Sequence, residues 1–138
     1  MENFKINNAE IHRGDIFFVN LPEDNDSVQG GYRPCVVVQN DKGNNYSPNV
    51  ILAPLTTRTK KKIPTHVLVR AGQGGLKRDS TVLAENIMTI SKSDLGSYVG
   101  RLDGGLLDKI SYAIAISLGI IPTVAFSKDS LDKISCVC

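Results

Sequence analysis

The strongest constraint on what this chain can fold into is a recurring alternation of short β-rich runs with clusters of turn residues. The runs cover residues 15–19, 35–39, 50–54, 65–69, 81–84 and 98–102. They are dominated by β-branched, aromatic and other apolar side chains, which suit a half-buried pleated surface. Between them stand Gly30-Gly31, Lys42-Gly43-Asn44-Asn45, Gly72-Gln73-Gly74-Gly75 and Gly100, read as the positive-φ and locally hydrogen-bonded residues of tight connections. Many short strands joined by tight turns predict an antiparallel sheet curled into a small barrel.

A single segment switches to helical spacing. From Leu106 onward, Leu107, Ile110, Ala113, Ile114, Leu118 and Ile121 recur on one face, Asp103 offers an N-cap, and Pro122 ends the run. The class is therefore mainly β with one C-terminal amphipathic helix, an α+β arrangement whose apolar stripe is core. Ser91-Lys92-Ser93-Asp94 resembles a weak capping box and predicts a short connector that Gly96 stops. Residues 1–122 are read as one domain and 123–138 as a tail, helical and frayed or disordered. The pentapeptide Leu107-Asp108-Lys109-Ile110-Ser111 recurs as Leu131-Asp132-Lys133-Ile134-Ser135, a match too short to establish a repeat.

Composition narrows the function classes. The chain has 138 residues, 41% hydrophobic and 22% charged, a globular balance with room for one modest core. A net charge of +2 is too small to argue for a polyanionic partner, so the placement of the cations has to carry that argument. The longest apolar stretch, 113–121, holds Ser117 and Gly119 and falls short of the roughly 20 residues of a membrane span. The N-terminus MENFKINNAE lacks the apolar core of a signal peptide, so the cytoplasm is expected. There the three cysteines are reduced thiols, with Cys35 a core residue and Cys136 and Cys138 closing the tail; no metal site and no cofactor is expected.

Two segments place cations where they could do chemistry. Residues 27–34 join the first two strands, and Gly30-Gly31 followed by Arg33-Pro34 predicts a loop that sets a guanidinium at the barrel rim. Such a group suits a phosphate at any working pH, although a surface pair with a carboxylate such as Asp41 is the competing reading. Further on, Thr56 and Thr57 leave a strand and enter the cationic loop Arg58, Lys60, Lys61 and Lys62. The threonines can donate to phosphate oxygens and the cations can follow a nucleic-acid backbone, against the plainer reading of a solvated charged loop. Arg33, the paired threonines and this loop together favour contact with a nucleic-acid backbone. His66 lies in a strand just after the loop and could touch RNA, while a structural or surface role suits both His66 and His12. Glu85 and Asn86 could read base edges or cap a turn.

The order of several blocks resembles the MazF/PemK family of toxin endoribonucleases, particularly its Gram-positive members. The blocks are Arg13-Gly14-Asp15, Gln29-Gly30-Gly31-Tyr32-Arg33-Pro34, Gln39-Asn40-Asp41-Lys42-Gly43-Asn44, Pro54-Leu55-Thr56-Thr57, Pro64-Thr65-His66-Val67 and Lys77-Arg78-Asp79-Ser80. They run from about Ile11 to Ile121. The resemblance implies an SH3-like barrel with a C-terminal helix, a two-fold homodimer, and a MazE-like antitoxin whose extended tail occupies the RNA groove. It implies catalytic roles for Arg33 and Thr56, with Gln29 and Gly30 among the RNA contacts. It further implies metal-free cleavage of single-stranded RNA by the ribose 2′-OH, leaving a 2′,3′-cyclic phosphate and a 5′-OH. Many family members carry an acid immediately before the Gln of the glycine loop, whereas Val28 stands there in this chain. Glu23, Asp24 and Asp26 upstream are substitutes only if the loop folds back. Two rival readings are a CcdB-like toxin that binds gyrase, which would not require the Arg33 and Thr56 pair, and an RNA-binding module whose chemistry is impaired by the change at Val28.

Overall fold

The structure, a computed structural model, describes residues 10–22, 31–58 and 62–122. Seven strands form one antiparallel, strongly bent sheet: β1 (Asp15–Leu21), β2 (Gly31–Val37), β3 (Asn49–Thr56), β4 (His66–Val69), β5 (Ser80–Leu83), β6 (Met88–Ser91) and β7 (Leu95–Arg101). Their order is β4-β5-β3-β2-β1-β7, with β6 attached to β3 off this path. Two helices complete the fold, α1 (Asp41–Tyr46) and α2 (Gly104–Ser117), along with short 3₁₀ turns. The expected barrel-like sheet with a C-terminal helix is what forms.

The sheet buries both faces. On one, Ile16, Val36, Ala53, Leu55 and Val82 pack against Leu106, Ile110 and Ala113 of α2. On the other, Phe17, Val19, Cys35, Val37 and Leu52 meet Met88, Ile90 and Leu95 as the sheet folds over itself. Alternate residues of β2 and β3 thus supply both layers, as a strand period of two demands.

Three expectations are corrected. Strand β2 begins at Gly31, because its ladder with β1 continues to Leu21 opposite Gly31; Arg33-Pro34 therefore lie within a strand and not in a loop before it. The sequence Lys42-Gly43-Asn44-Asn45 is helical in α1 and not a turn. Asn40 caps α1 by accepting the Gly43 N–H, and Asn44 is held by Gln39 and Asp41 side chains. Gly100 lies inside β7 and not in a connection. Strand β6 was not expected at all. The predicted helix is confirmed with Asp103 accepting the Leu106 N–H at 2.9 Å, but it ends at Ser117. There Gly119, at φ 77°, donates to Ile116 O while Ile120 donates to Ala115 O, a Schellman stop before Pro122 is reached. The expected tail 123–138 lies outside the described residues.

The approach of the two ends of the sheet depends on glycine. The 3₁₀ turn Gln73–Gly75, which follows the edge strand β4, lies against β7 at the other end of the sheet. A Cβ on Gly75 would sit 2.2 Å from Val99 O, and one on Gly100 would sit 2.4 Å from Gly74 O, so backbone touches backbone with no room for a side chain.

The block Arg13-Gly14-Asp15 locks the same corner. Asp15, 1% exposed, accepts from Arg101 Nε at 2.6 Å and from the His12 N–H at 2.8 Å. Arg13 donates to Val38 O at 3.0 Å and to Ser111 Oγ of α2 at 2.6 Å. The hydrogen bond to Asp15 raises the Arg101 pKa above its ordinary value. Asp15 would be an uncompensated buried charge without these partners.

Gly75→Ala combines a φ of 78° with that contact. It should lower stability by about 1–3 kcal/mol or more in urea denaturation, and an unchanged midpoint would mean that the close packing of this turn on β7 does not support the fold.

Candidate functional site

Arg33 and Thr56 come together by strand register. Strands β2 and β3 pair Val37 with Leu52, Val36 with Ala53 and Cys35 with Pro54. Continued by two residues, that register sets Arg33 opposite Thr56, and the guanidinium does reach β3, Nη1 donating to Leu55 O at 3.3 Å. Thr56 is only 3% exposed, and its Oγ1 accepts the Arg58 N–H at 3.2 Å. That bond turns the Arg58 backbone back toward the pair and leaves the Thr56 hydroxyl hydrogen available to an acceptor.

Burial sets the electrostatics here. Loss of water lowers the Arg33 pKa below its ordinary value; the nearby Cys35 thiol acts in the opposite sense, and Arg58 adds a smaller lowering repulsion. A guanidinium short of water beside a second one gains from an anion brought to it. Asp41, the expected competing partner, faces elsewhere: it accepts the Arg13 N–H at 2.7 Å and Asn44 Nδ2 at 3.1 Å, and these bonds hold its carboxyl below the ordinary value. Behind Arg33, Cys35 is fully buried as expected, and burial pushes its thiol up to about 12.

The other expected residues divide. Thr57, Arg58 and Lys62 are exposed where β3 leads into the next loop. Gln29, Gly30, Lys60 and Lys61 lie outside the described residues, as does Val28. His66 and Glu85 form a second group on β4 and on the 3₁₀ turn Ala84–Asn86, with His66 Nε2 2.9 Å from Glu85 Oε2. Burial alone would raise the Glu85 carboxyl, but hydrogen bonds from His66, its own backbone and Thr65 together bring it below its ordinary value. Asn86 is half-buried in the same turn. His12 has a structural setting, its Nδ1 2.9 Å from Arg101 Nη2. Among the described residues no group of three His, Cys, Asp or Glu side chains is placed to hold a metal ion.

Register also brings in residues that the sequence did not mark. Thr56 is opposite Thr81 of β5, and Thr81 is opposite Leu68 of β4. Cross-strand partners share a face, so Arg33, Thr56, Thr81 and Leu68 form one row on the side of the sheet away from α2. Nothing local distinguishes Thr81 from other strand threonines; only the pairing of distant segments reveals it.

Two measurements check this description. Cys35 should resist alkylation at pH 8 in the folded protein and react on denaturation, as read by peptide mass spectrometry; rapid native labelling would place it at the surface. Because the Glu85 pKa is depressed on folding, its contribution to stability is complete above the ordinary carboxylate value and is lost as pH falls through the folded one. Glu85→Gln should therefore flatten the decline in urea midpoint below about pH 5, and an unchanged slope would count against the His66–Glu85 bond.

Comparison with known proteins shows the family. Residues 12–118 match the family model described as PemK-like, MazF-like toxin of type II toxin-antitoxin system. Endoribonuclease EndoA of Bacillus subtilis is 44% identical over 112 residues, 80% of this chain and 97% of that protein. Endoribonuclease MazF of Staphylococcus saprophyticus is 42% identical, covering 80% of this chain and 92% of its own. Among solved structures, an endoribonuclease in complex with its cognate antitoxin from a mycobacterial species superposes with a TM-score of 0.66 at 30% identity, over 81% of this chain and 98% of that one. Matched along nearly all of its described residues, the chain belongs to the family of PemK-like, MazF-like toxins of type II toxin–antitoxin systems.

Proposed function

We propose that this toxin is an endoribonuclease that cuts single-stranded RNA without a metal, with Arg33 and Thr56 as its catalytic residues. The observation that carries the reading is the placement of a partly desolvated guanidinium across from a buried threonine hydroxyl. The relatives named endoribonucleases support it from outside the structure.

In this reaction the ribose 2′-oxygen bonds to the adjacent phosphorus as the bond from phosphorus to the 5′-oxygen breaks. The products are a 2′,3′-cyclic phosphate and a 5′-OH. Negative charge grows on the non-bridging oxygens, where fixed donors accelerate the step more than they help ground-state binding. Arg33 supplies two N–H groups in a fork suited to a phosphate. The Thr56 hydroxyl, already accepting from Arg58, donates to a second oxygen. Arg33 remains protonated even with its lowered pKa, so the 2′-OH proton passes to another group, and the departing 5′-oxygen takes up a proton from a general acid or water to leave as the 5′-OH. The nearest carboxylates before Arg33 in the sequence are Glu23, Asp24 and Asp26, which substitute for the acid replaced by Val28 only if the loop folds back.

Thr57, Arg58, Lys60, Lys61 and Lys62 follow the RNA backbone in this reading, together with Gln29 and Gly30. His66, Glu85 and Asn86 meet bases farther along. The toxin domain is residues 1–122. Its partners are single-stranded RNA, a cognate MazE-like antitoxin that covers the same groove, and a second copy of the chain. It acts in the cytoplasm, where its substrate is found.

Arg33→Ala and Thr56→Ala should each reduce cleavage of a long single-stranded RNA in EDTA by on the order of 10²–10³-fold or more, with an unchanged thermal melt. The wild-type fragments should end in 2′,3′-cyclic phosphates. Full activity in both variants would remove these residues from the chemistry, and gyrase binding without RNA cleavage would replace the reading altogether.

A further inference from the structure

We propose that Thr81 and Leu68 form a subsite that holds the nucleotide next to the scissile phosphate. The inference rests on the RNA-cleaving reading above and deepens it. It starts from a row of side chains: the ladders set Thr56 opposite Thr81 and Thr81 opposite Leu68, and the β2–β3 register, continued two residues beyond its last pair, brings Arg33 across from Thr56.

The burial pattern fixes which way these side chains face. Leu55 and Val82, neighbours of Thr56 and Thr81, are buried beneath α2, as are Val67 and Val69 on either side of Leu68. Thr56, Thr81 and Leu68 therefore point to the opposite side of the sheet. With strands spaced about 4.8 Å apart, the row runs roughly 14 Å from Arg33 to Leu68. Stacked nucleotides rise by about 3.4 Å, so a strand of RNA anchored at Arg33 and Thr56 extends over more than one position of this row.

The chemistry changes along it in an order that suits a nucleotide. The hydroxyl of Thr81, half-buried, lies one strand beyond the Thr56 hydroxyl and can bond a ribose or phosphate oxygen. Leu68 is 49% exposed on the edge strand β4, and no further strand of the described sheet lies beyond it. A single exposed leucine is ordinary on a protein surface. This one is in line with three polar side chains that approach the scissile phosphate, at the distance where a base would lie once its sugar reaches Thr81. Contact with a flat apolar face rewards the larger ring system, so the subsite favours a purine.

The test uses the full chain, a random-sequence RNA library and one preferred oligonucleotide, with sequencing of the cut ends. Thr81→Val should raise KM about 3- to 10-fold with kcat nearly unchanged, the size expected for one lost hydrogen bond. Thr81→Ser, which keeps the hydroxyl, should restore the wild-type KM. Leu68→Ala should flatten the base preference at one position beside the cut and leave other positions as they were. Wild-type KM in Thr81→Val together with wild-type preference in Leu68→Ala would overturn the proposal. So would a Thr81→Ser variant as impaired as Thr81→Val, which would assign the effect to packing. If the wild-type chain cuts no RNA, or if Arg33→Ala cuts as well as wild type, the underlying reading falls first; inert Thr81 and Leu68 variants of a cutting enzyme remove only the subsite.

Discussion

Strand β3 changes partners along its length, and the rest of the molecule is arranged around that change. Residues 49–52 pair with β6, 52–54 with β2, and 55–56 with β5. Pro54, which brings no amide hydrogen, falls between the stretches paired with β6 and with β5, where a missing ladder donor costs least. The strand bends there, its first half facing the layer around Phe17 and Leu52 and its second half running out beside β5. Thr56 is its last residue. Pairing with Thr81 of β5 holds it in place, which makes it better ordered than a loop threonine would be.

How much of this could be read in the sequence follows from the range of each interaction. The helix was legible because its period, its Asp103 cap and its terminating signals are all local, and most strands were legible because turn residues bracket them. Strand β6 escaped because Met88–Ser91 is four residues long and half-buried at best, with no β-rich run to mark it. Helix α1 escaped because Lys42-Gly43-Asn44-Asn45 carries turn chemistry, while the bonds that make it helical come from Gln39, Asn40 and Asp41. Arg33 was placed in a loop because Gly-Tyr-Arg-Pro reads as one. Its strand conformation comes from the ladder with β1, which no local pattern predicts. The residue types at the candidate site were thus legible, but the facing of Arg33 and Thr56, and the row through Thr81, required the register.

The arginines of this chain show how one residue type is given opposite uses. Arg101 is half exposed and is bonded to buried Asp15, which raises its pKa; its charge is spent on holding β7 against β1. Arg13 is spent in the same way, on Val38 and Ser111. Arg33 differs, because burial acts on it more strongly than any neighbouring anion and its pKa falls.

On the proposed reading, a chain of net charge +2 acts on a polyanion. A diffuse positive surface would bind nucleic acid through counterion release alone, with little selection of position. Here Arg101 is bonded to Asp15, Asp41 accepts from the Arg13 backbone N–H and from Asn44, and Arg58 stands near enough to Arg33 to add to the lowering of its pKa. Both histidines are likewise engaged, His12 with Arg101 and His66 with Glu85. Charge stabilisation on a phosphate is the chemistry that the proposed reading assigns to Arg33 and Thr56, which meet where β2 runs beside β3.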